Sequence, residues 1–214
     1  MIASINSMRK SGLLLAFFAF ISVILVVSTN NLTKESIIKN DEILFLKLIN
    51  EILPPDQYDN KLADTSFVLP AKDSGLEDEA LVYLATLKGK PITAFVQMTT
   101  LRGYNVITLL VGVNAKDQTL TGVRVIRHTE TPGLGDKIEI KKSDWILSFD
   151  DKSLTDPQLS RWAVKKDGGD FDQFTGATIT PRAIVNTVKS ILLYTNDNLN
   201  KLFEKDLKAG DDNG

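Results

Sequence analysis

The hydrophobic positions of this chain change period from one segment to the next. From Gly12 to Val27 they run almost unbroken, as "GLLLAFFAFISVILVV", and no residue between Lys10 and Lys34 is charged. Such a run suits a helix crossing the hydrocarbon core of a bilayer, which takes roughly 20 apolar residues. Arg9 and Lys10 precede it, and basic residues favour the cytoplasmic side. The pattern predicts a cytoplasmic N-terminus over residues 1–10, a single transmembrane anchor over 11–30, and everything after Asn30 on the periplasmic side of the inner membrane. A cleaved signal peptide is the competing reading, with Val26 and Ser28 at the small-residue positions before a cut.

After the anchor, Ile37, Ile38, Leu44, Leu48, Ile49 and Ile52 fall near a helical period until Pro54 and Pro55 stop it. A membrane-proximal helix and linker is expected over 31–80. From Leu81 the β-rich runs "LVYLATL" and "ITAFVQMTT" flank the turn "KGKP", and "ITLLVGV" and "LTGVRVIRH" flank "NAKDQ". Four strands with short connections imply an antiparallel sheet. "KKSDWILSF" reads as a short helix capped by Ser143 or Asp144, and "RWAVKK" as a return to the sheet. The last periodic segment starts at Pro181 and continues through Ile184, Val185, Val188, Ile191 and Leu192, with Thr180 as N-cap and Pro181 as first helical residue. Residues 205–214 are polar and read as a flexible tail. The fold class expected is α+β: one N-terminal transmembrane helix, then a domain over 81–204 with an antiparallel sheet flanked by helices.

Composition narrows the chemistry. With 25 basic and 27 acidic residues in 214 there is no electrostatic footprint for nucleic acid. The absence of cysteine removes disulfides, iron–sulfur ligation, zinc–thiolate sites and a thiol nucleophile together. Redox chemistry here requires a borrowed cofactor. The single histidine, His128, ends a strand with no nucleophile or metal-ligand spacing around it, and reads as a structural hydrogen-bonding group. Trp145 and Trp162 read as core.

The remaining conspicuous stretch is "DQFTGATIT", in which Asp172, Thr175 and Thr178 surround Gly176 and Ala177 just ahead of the Pro181 helix. Capping and a positive-φ glycine account for only part of it. A threonine oxygen in a loop of small residues can form a phosphoester, and a phosphate there would sit before a helix N-terminus, where N–H groups and the dipole favour negative charge. This stretch resembles the flavinylation motif Asp-x-x-Ser/Thr-Gly-Ala-Thr, whose last threonine receives FMN through its phosphate from a flavin transferase. The likeness extends to "GVRVIRHTETPGLGDKIE", "KSDWILSF" and "WAVKKDGGDFDQFTGATITPRAIV". Over most of the chain after about residue 80 it is similar to the G subunit of the Rnf-type ion-translocating electron transport complex and to the C subunit of the Na+-translocating quinone reductase.

That resemblance implies covalent FMN on Thr178, with Asp172, Thr175, Gly176 and Ala177 as the recognition loop. It places Glu130, Thr131, Leu134 and Gly135 of "ETPGLG" at the isoalloxazine, Leu134 packing on a ring face and the turn's N–H groups donating to ring acceptors. Lys165 and Lys166 are candidates to supply charge to the phosphate or ring. Relatives carry Gly-Tyr-x-Gly-x-Ile where this chain has the shorter "GYNVI", which keeps Tyr104 as a candidate flavin contact. The implied function is an electron-carrying subunit, not a catalyst on its own, that relays electrons among other subunits of a complex coupling electron flow to ion translocation. A stand-alone periplasmic flavoprotein reductase would need a further nucleotide-binding motif or a catalytic acid, and neither is found. A purely structural subunit would carry no flavin.

Overall fold

The computed structural model describes residues 2–103 and 105–211, and the side chains among them except those of 2–8, 35, 36, 38, 73 and 205–211. The chain forms two compact units, Met1–Leu46 and Lys47–Gly214.

The first unit belongs to helix α1 (Ile2–Ile52). Its segment Arg9–Lys34, with a mean hydropathy of 2.6, is long and apolar enough to cross a membrane, and its side chains are exposed. The hydroxyls within it are satisfied by the helix itself: Ser22 Oγ donates to Phe18 O at 2.9 Å and Thr33 Oγ1 to Thr29 O at 2.8 Å. Internal satisfaction is what a bilayer demands of polar groups.

In the second unit, β1 (Phe67–Leu69), β2 (Ala80–Leu87), β3 (Lys90–Thr100), β4 (Ile107–Asn114) and β5 (Leu120–His128) form one sheet in sequence order. Every neighbouring pair is antiparallel. The four longer strands are those the β-rich runs predict. The fifth, β1, lies inside the expected linker, where three residues are too few to show a period; it pairs Val68 with Leu81 at the sheet edge. A one-turn helix, α2 (Ala71–Ser74), joins β1 to β2.

Alternation gives the sheet two buried faces. On one, Val82, Leu84, Val96, Leu109, Val111 and Val123 join Ile184, Val185, Val188, Ile191 and Leu192 of helix α3 (Ile179–Asp211) in a single core. On the other, the end of α1 is seated over a notch in the sheet. Gly112 faces Gly122 across β4 and β5, and a Cβ on either would stand 3.0 or 3.2 Å from Ile52 Cγ2. Beside this notch the buried Arg124 donates to Val123 O at 2.8 Å and Glu51 O at 3.3 Å, with its Nε 3.5 Å from Glu51 Oε2.

Three local expectations change. "RWAVKK" does not rejoin the sheet: Leu159–Arg161 and Lys165–Asp167 are single 3-10 turns, and only Val164 bridges, to Phe171. Burial alternates there because Trp162 and Val164 enter the core, without a strand to pair with. Helix α3 begins at Ile179, so Thr180 and Pro181 lie within its first turn and Thr178 takes the capping position. It also continues past Phe203, through part of the segment expected to be a tail, as far as Asp211. The short helix at Asp144–Phe149 is present as a 3-10 helix, and Ser143 is its cap, accepting from Trp145 N–H at 3.2 Å.

Candidate functional site

The loop before α3 is fixed from below by aromatic side chains. Phe171 stacks on Phe149 with centroids 4.7 Å apart and lies 5.0 Å from Trp162, while Phe174 meets Trp145 edge-on at 5.2 Å. Trp145 Nε1–H donates to Asp172 O at 2.8 Å. Both tryptophans are buried as expected, and together they form the floor that holds this loop. Above the floor the Asp172 side chain is exposed, with Oδ1 2.6 Å from Lys165 Nζ. Lys166 N–H donates to Gln173 Oε1 at 3.1 Å. Ala177 N–H donates to Phe174 O at 3.1 Å and closes a tight turn with Gly176 at φ 82°. That conformation favours glycine. Thr175 and Gly176 are the exposed tip, and Ala177 is buried.

Thr178 follows the turn. Its carbonyl accepts the Arg182 N–H at 3.3 Å, which makes it the N-cap of α3. A capping hydroxyl ordinarily accepts from the N–H of the second or third helical residue. Here the third is Pro181, which has none. Oγ1 makes one recorded bond, a donation to Phe174 O at 3.5 Å, at the outer limit of a hydrogen bond. A half-buried, weakly engaged hydroxyl therefore stands at the positive end of a long helix. Arg182 fixes the surroundings, its Nε and Nη2 lying 2.6 and 2.9 Å from the two Asp167 oxygens. The hydrogen bond from Arg182 lowers the Asp167 carboxyl pKa, and its counterpart raises that of Arg182.

The second group of residues follows β5. His128 Nε2 lies 2.7 Å from Glu139 Oε1, and Glu130 N–H donates to Nδ1 at 3.1 Å, so the ring proton is on Nε2. His128 thus makes structural hydrogen bonds. Gly133 N–H donates to Asp136 Oδ1 at 2.8 Å, and the N–H groups of Leu134 and Gly135 both donate to Thr131 O at 3.1 Å. The N–H groups of Gly133, Leu134 and Gly135 are thus engaged locally, and the turn presents outward the 45 % exposed Leu134 side chain and the exposed Thr131.

The two groups meet. A Cβ on Gly176 would stand 3.7 Å from Leu134 Cδ2, an ordinary contact. Thr180 Oγ1–H donates to Glu130 Oε2 at 2.7 Å, with both side chains buried. Gly135 has no room for a side chain, because a Cβ would lie 2.5 Å from that same oxygen. Glu130, Leu134, Gly135, Gly176 and Thr180 are thereby one site, with Ala177 and Thr178 in the connecting loop. Asp172 and Lys166 sit with Lys165 and Gln173 and have no recorded hydrogen bond or ion pair to the 130–135 turn among the described residues. Tyr104 lies outside the described residues. Thr180 and Arg182 were not legible as site residues, because a threonine before proline signals a cap and the salt bridge needs the folded loop. No cluster of His, Cys, Asp and Glu able to hold a metal occurs among the described residues. The set fits FMN: a hydroxyl and helix N-terminus for its phosphate, and an exposed leucine for a ring face; beside them Glu130 Oε1 is buried with no hydrogen-bond partner among the described residues.

Comparison with known proteins gives matches to family models, to relatives and to a solved structure. The FMN-binding domain family matches residues 103–193, and the RnfG N-terminal region matches residues 1–52. The G subunit of the ion-translocating oxidoreductase complex of Vibrio atlanticus is 44% identical over 207 residues, covering 96% of this chain and 99% of that protein. Its counterpart in Escherichia coli K12 is 45% identical over 191 residues, covering 89% and 92%. Among solved structures, Shewanella oneidensis NqrC matches at 22% identity over 70% of each chain, with a TM-score of 0.45.

Proposed function

The chain belongs to the family of G subunits of ion-translocating oxidoreductase complexes, and on that premise we propose that it is a membrane-anchored electron-transfer protein carrying FMN as a phosphoester on Thr178. The observation that supports this reading is the state of the Thr178 hydroxyl: half-buried at the surface, held by one 3.5 Å contact, and deprived by Pro181 of one of the two N–H groups that ordinarily engage a capping hydroxyl. Oγ1 would form the bond to the flavin-bearing phosphorus of a flavin phosphoanhydride donor as the P–O bond of the anhydride breaks, the other phosphate half leaving and the hydroxyl proton passing to a base of the flavin transferase. Asp172, Thr175, Gly176 and Ala177 form the loop that enzyme would recognise, and Lys165 and the Trp145 indole hold Asp172 in place. FMN, when bound, supplies the electron chemistry that a chain without cysteine lacks. Leu134 would cover the ring and limit its hydration. Lys166 would add positive charge near the loop.

The remaining features follow from the same reading. The apolar span Arg9–Lys34 would anchor the chain in the inner membrane, with Arg9 and Lys10 cytoplasmic and the flavin domain on the periplasmic side. Its partners would be the other subunits of a complex that couples electron flow to ion translocation. A tethered flavin suits a relay, because the carrier is not lost and its distance to the next centre is fixed. The test is in-gel flavin fluorescence under denaturing conditions, for chain made with and without the transferase. Fluorescence that depends on the transferase and disappears in Thr178→Ala is expected; fluorescence retained in Thr178→Ala would place the flavin elsewhere.

A further inference from the structure

We propose that Arg182 is the phosphate anchor of the attached flavin: Asp167 holds its guanidinium in a fork, and the Nη1 N–H groups left over donate to the phosphoryl oxygens of the phosphodiester on Thr178. The inference rests on the function proposed above and names the residue that supplies the counter-charge. A phosphodiester stays anionic at neutral pH, and the planar guanidinium matches its oxygens better than an ammonium does.

Position is the first argument. Arg182 N–H donates to Thr178 O at 3.3 Å, so the two residues are one helical turn apart. Side chains four apart are neighbours on a helix surface, and a long side chain leans back over the turn that precedes it. For Arg182 that turn begins at Thr178. Burial places both on the outward side of α3: Thr178, Arg182 and Asn186 are half-buried at a spacing of four, while Thr180, Ala183 and Ile184 face the core. A phosphate joined to Thr178 Oγ1 is thus on the same face of the helix as the Arg182 side chain, which is 40% exposed.

Availability is the second. Arg182 Nε and Nη2 are taken by the two Asp167 oxygens, and Nη1 has no recorded partner among the described residues. A guanidinium carries more N–H groups than a carboxylate fork engages. The hydrogen bond from Arg182 lowers the Asp167 pKa, so the fork is intact at neutral pH. Its base is rigid as well. Arg161 Nη1 donates to Gly168 O at 2.7 Å, and Gly169 packs so close to Ala163 O that no Cβ would fit. Of the two lysines in the same turn, Lys165 is committed to Asp172, with Nζ 2.6 Å from Oδ1, and the ammonium of Lys166 has no recorded orienting partner among the described residues. Arg182 is the cation that is both oriented and left with free donors.

The experiment uses the full chain, flavinylated by the transferase and extracted from membranes. Denaturing in-gel fluorescence comes first: a signal that is absent, or that survives in Thr178→Ala, overturns the proposed function and this inference with it. Given the attached flavin, wild-type chain labelled at the arginine guanidinium carbons is read by phosphorus–carbon rotational-echo NMR. Dephasing of the flavin phosphorus by a guanidinium carbon is expected, and it should vanish in Arg182→Lys, which keeps the charge. The melting temperature is then measured for wild type and Arg182→Gln, each made with and without the transferase. A residue that serves only the Asp167 contact would lower both forms of the variant equally. The phosphate anchor predicts instead that the gain in melting temperature on flavinylation shrinks in Arg182→Gln. Absence of dephasing in the wild type, dephasing that persists in Arg182→Lys, or an equal gain in wild type and Arg182→Gln would each overturn the inference. Where Arg182→Gln is not flavinylated, the wild-type phosphorus signal and its loss in Arg182→Lys decide.

Discussion

At Thr178 a short chain of local causes decides the chemistry: Phe171 and Phe174 pin the loop, Gly176 turns it, and Pro181 withholds an N–H from the hydroxyl. Replacing Gly176 by alanine tests the turn apart from the nucleophile. The added methyl makes only a normal 3.7 Å contact with Leu134, so the penalty is backbone strain at φ 82°, about 1–2 kcal/mol. Gly176→Ala is expected to lower the fraction of chain that becomes flavinylated, as read by intact mass, while Thr178 stays in place. Leu134→Ala should behave in the opposite way, keeping full covalent attachment while the visible spectrum and potential of the flavin shift. A spectroelectrochemical titration reads this, and unchanged values would make the turn scaffold only. Both segments were singled out in the sequence as contiguous stretches, seven residues from Asp172 to Thr178 and six from Glu130 to Gly135, the second through the family resemblance alone. The Thr180–Glu130 bond was not, because its partners are 50 residues apart and only the fold brings them together.

Elements transmit that local order. The turn at Lys165–Asp167 is fastened to the first turn of α3 by the forked Arg182–Asp167 contact. Because the folded-state pKa of Asp167 is lowered, the contact stabilises the fold above the ordinary aspartate value, and the stabilisation is lost as pH falls through the lowered value. The melting temperatures of wild type and Asp167→Asn should therefore differ at neutral pH, begin to approach one another as pH falls below the ordinary aspartate value of about 3.9, and converge only once it has passed through the lowered one. A gap that persists unchanged in acid would show that Asp167 acts through packing or neutral hydrogen bonds. Across the sheet, Gly112→Ala places a methyl 3.0 Å from Ile52 Cγ2 and 3.2 Å from the Phe95 ring. Overpacking of this kind costs about 1–3 kcal/mol, so urea unfolding of the variant should show a lower midpoint with the slope unchanged. The strands and the last helix were readable from period alone. "RWAVKK" misled because its alternating burial mimics a strand, although its side chains enter an aromatic cluster and its backbone bridges only at Val164.

For the whole molecule, anchor and flavin domain answer to different parts of the sequence. Composition alone identifies Arg9–Lys34 as a span, but a membrane side is read only from the charges flanking it. A reporter active in the periplasm and fused after Gly214 should be active, and one active only in the cytoplasm should be silent. The central claim is that Thr178 carries the cofactor through its phosphate, and intact-mass measurement of the membrane-extracted chain tests it most directly. The account predicts a mass increase equal to one FMN phosphoryl ester when the flavin transferase is present, the unmodified mass when it is absent, and the unmodified mass for Thr178→Ala under both conditions. A chain of unmodified mass made with an active transferase, or a Thr178→Ala chain that still gains the flavin, would contradict it.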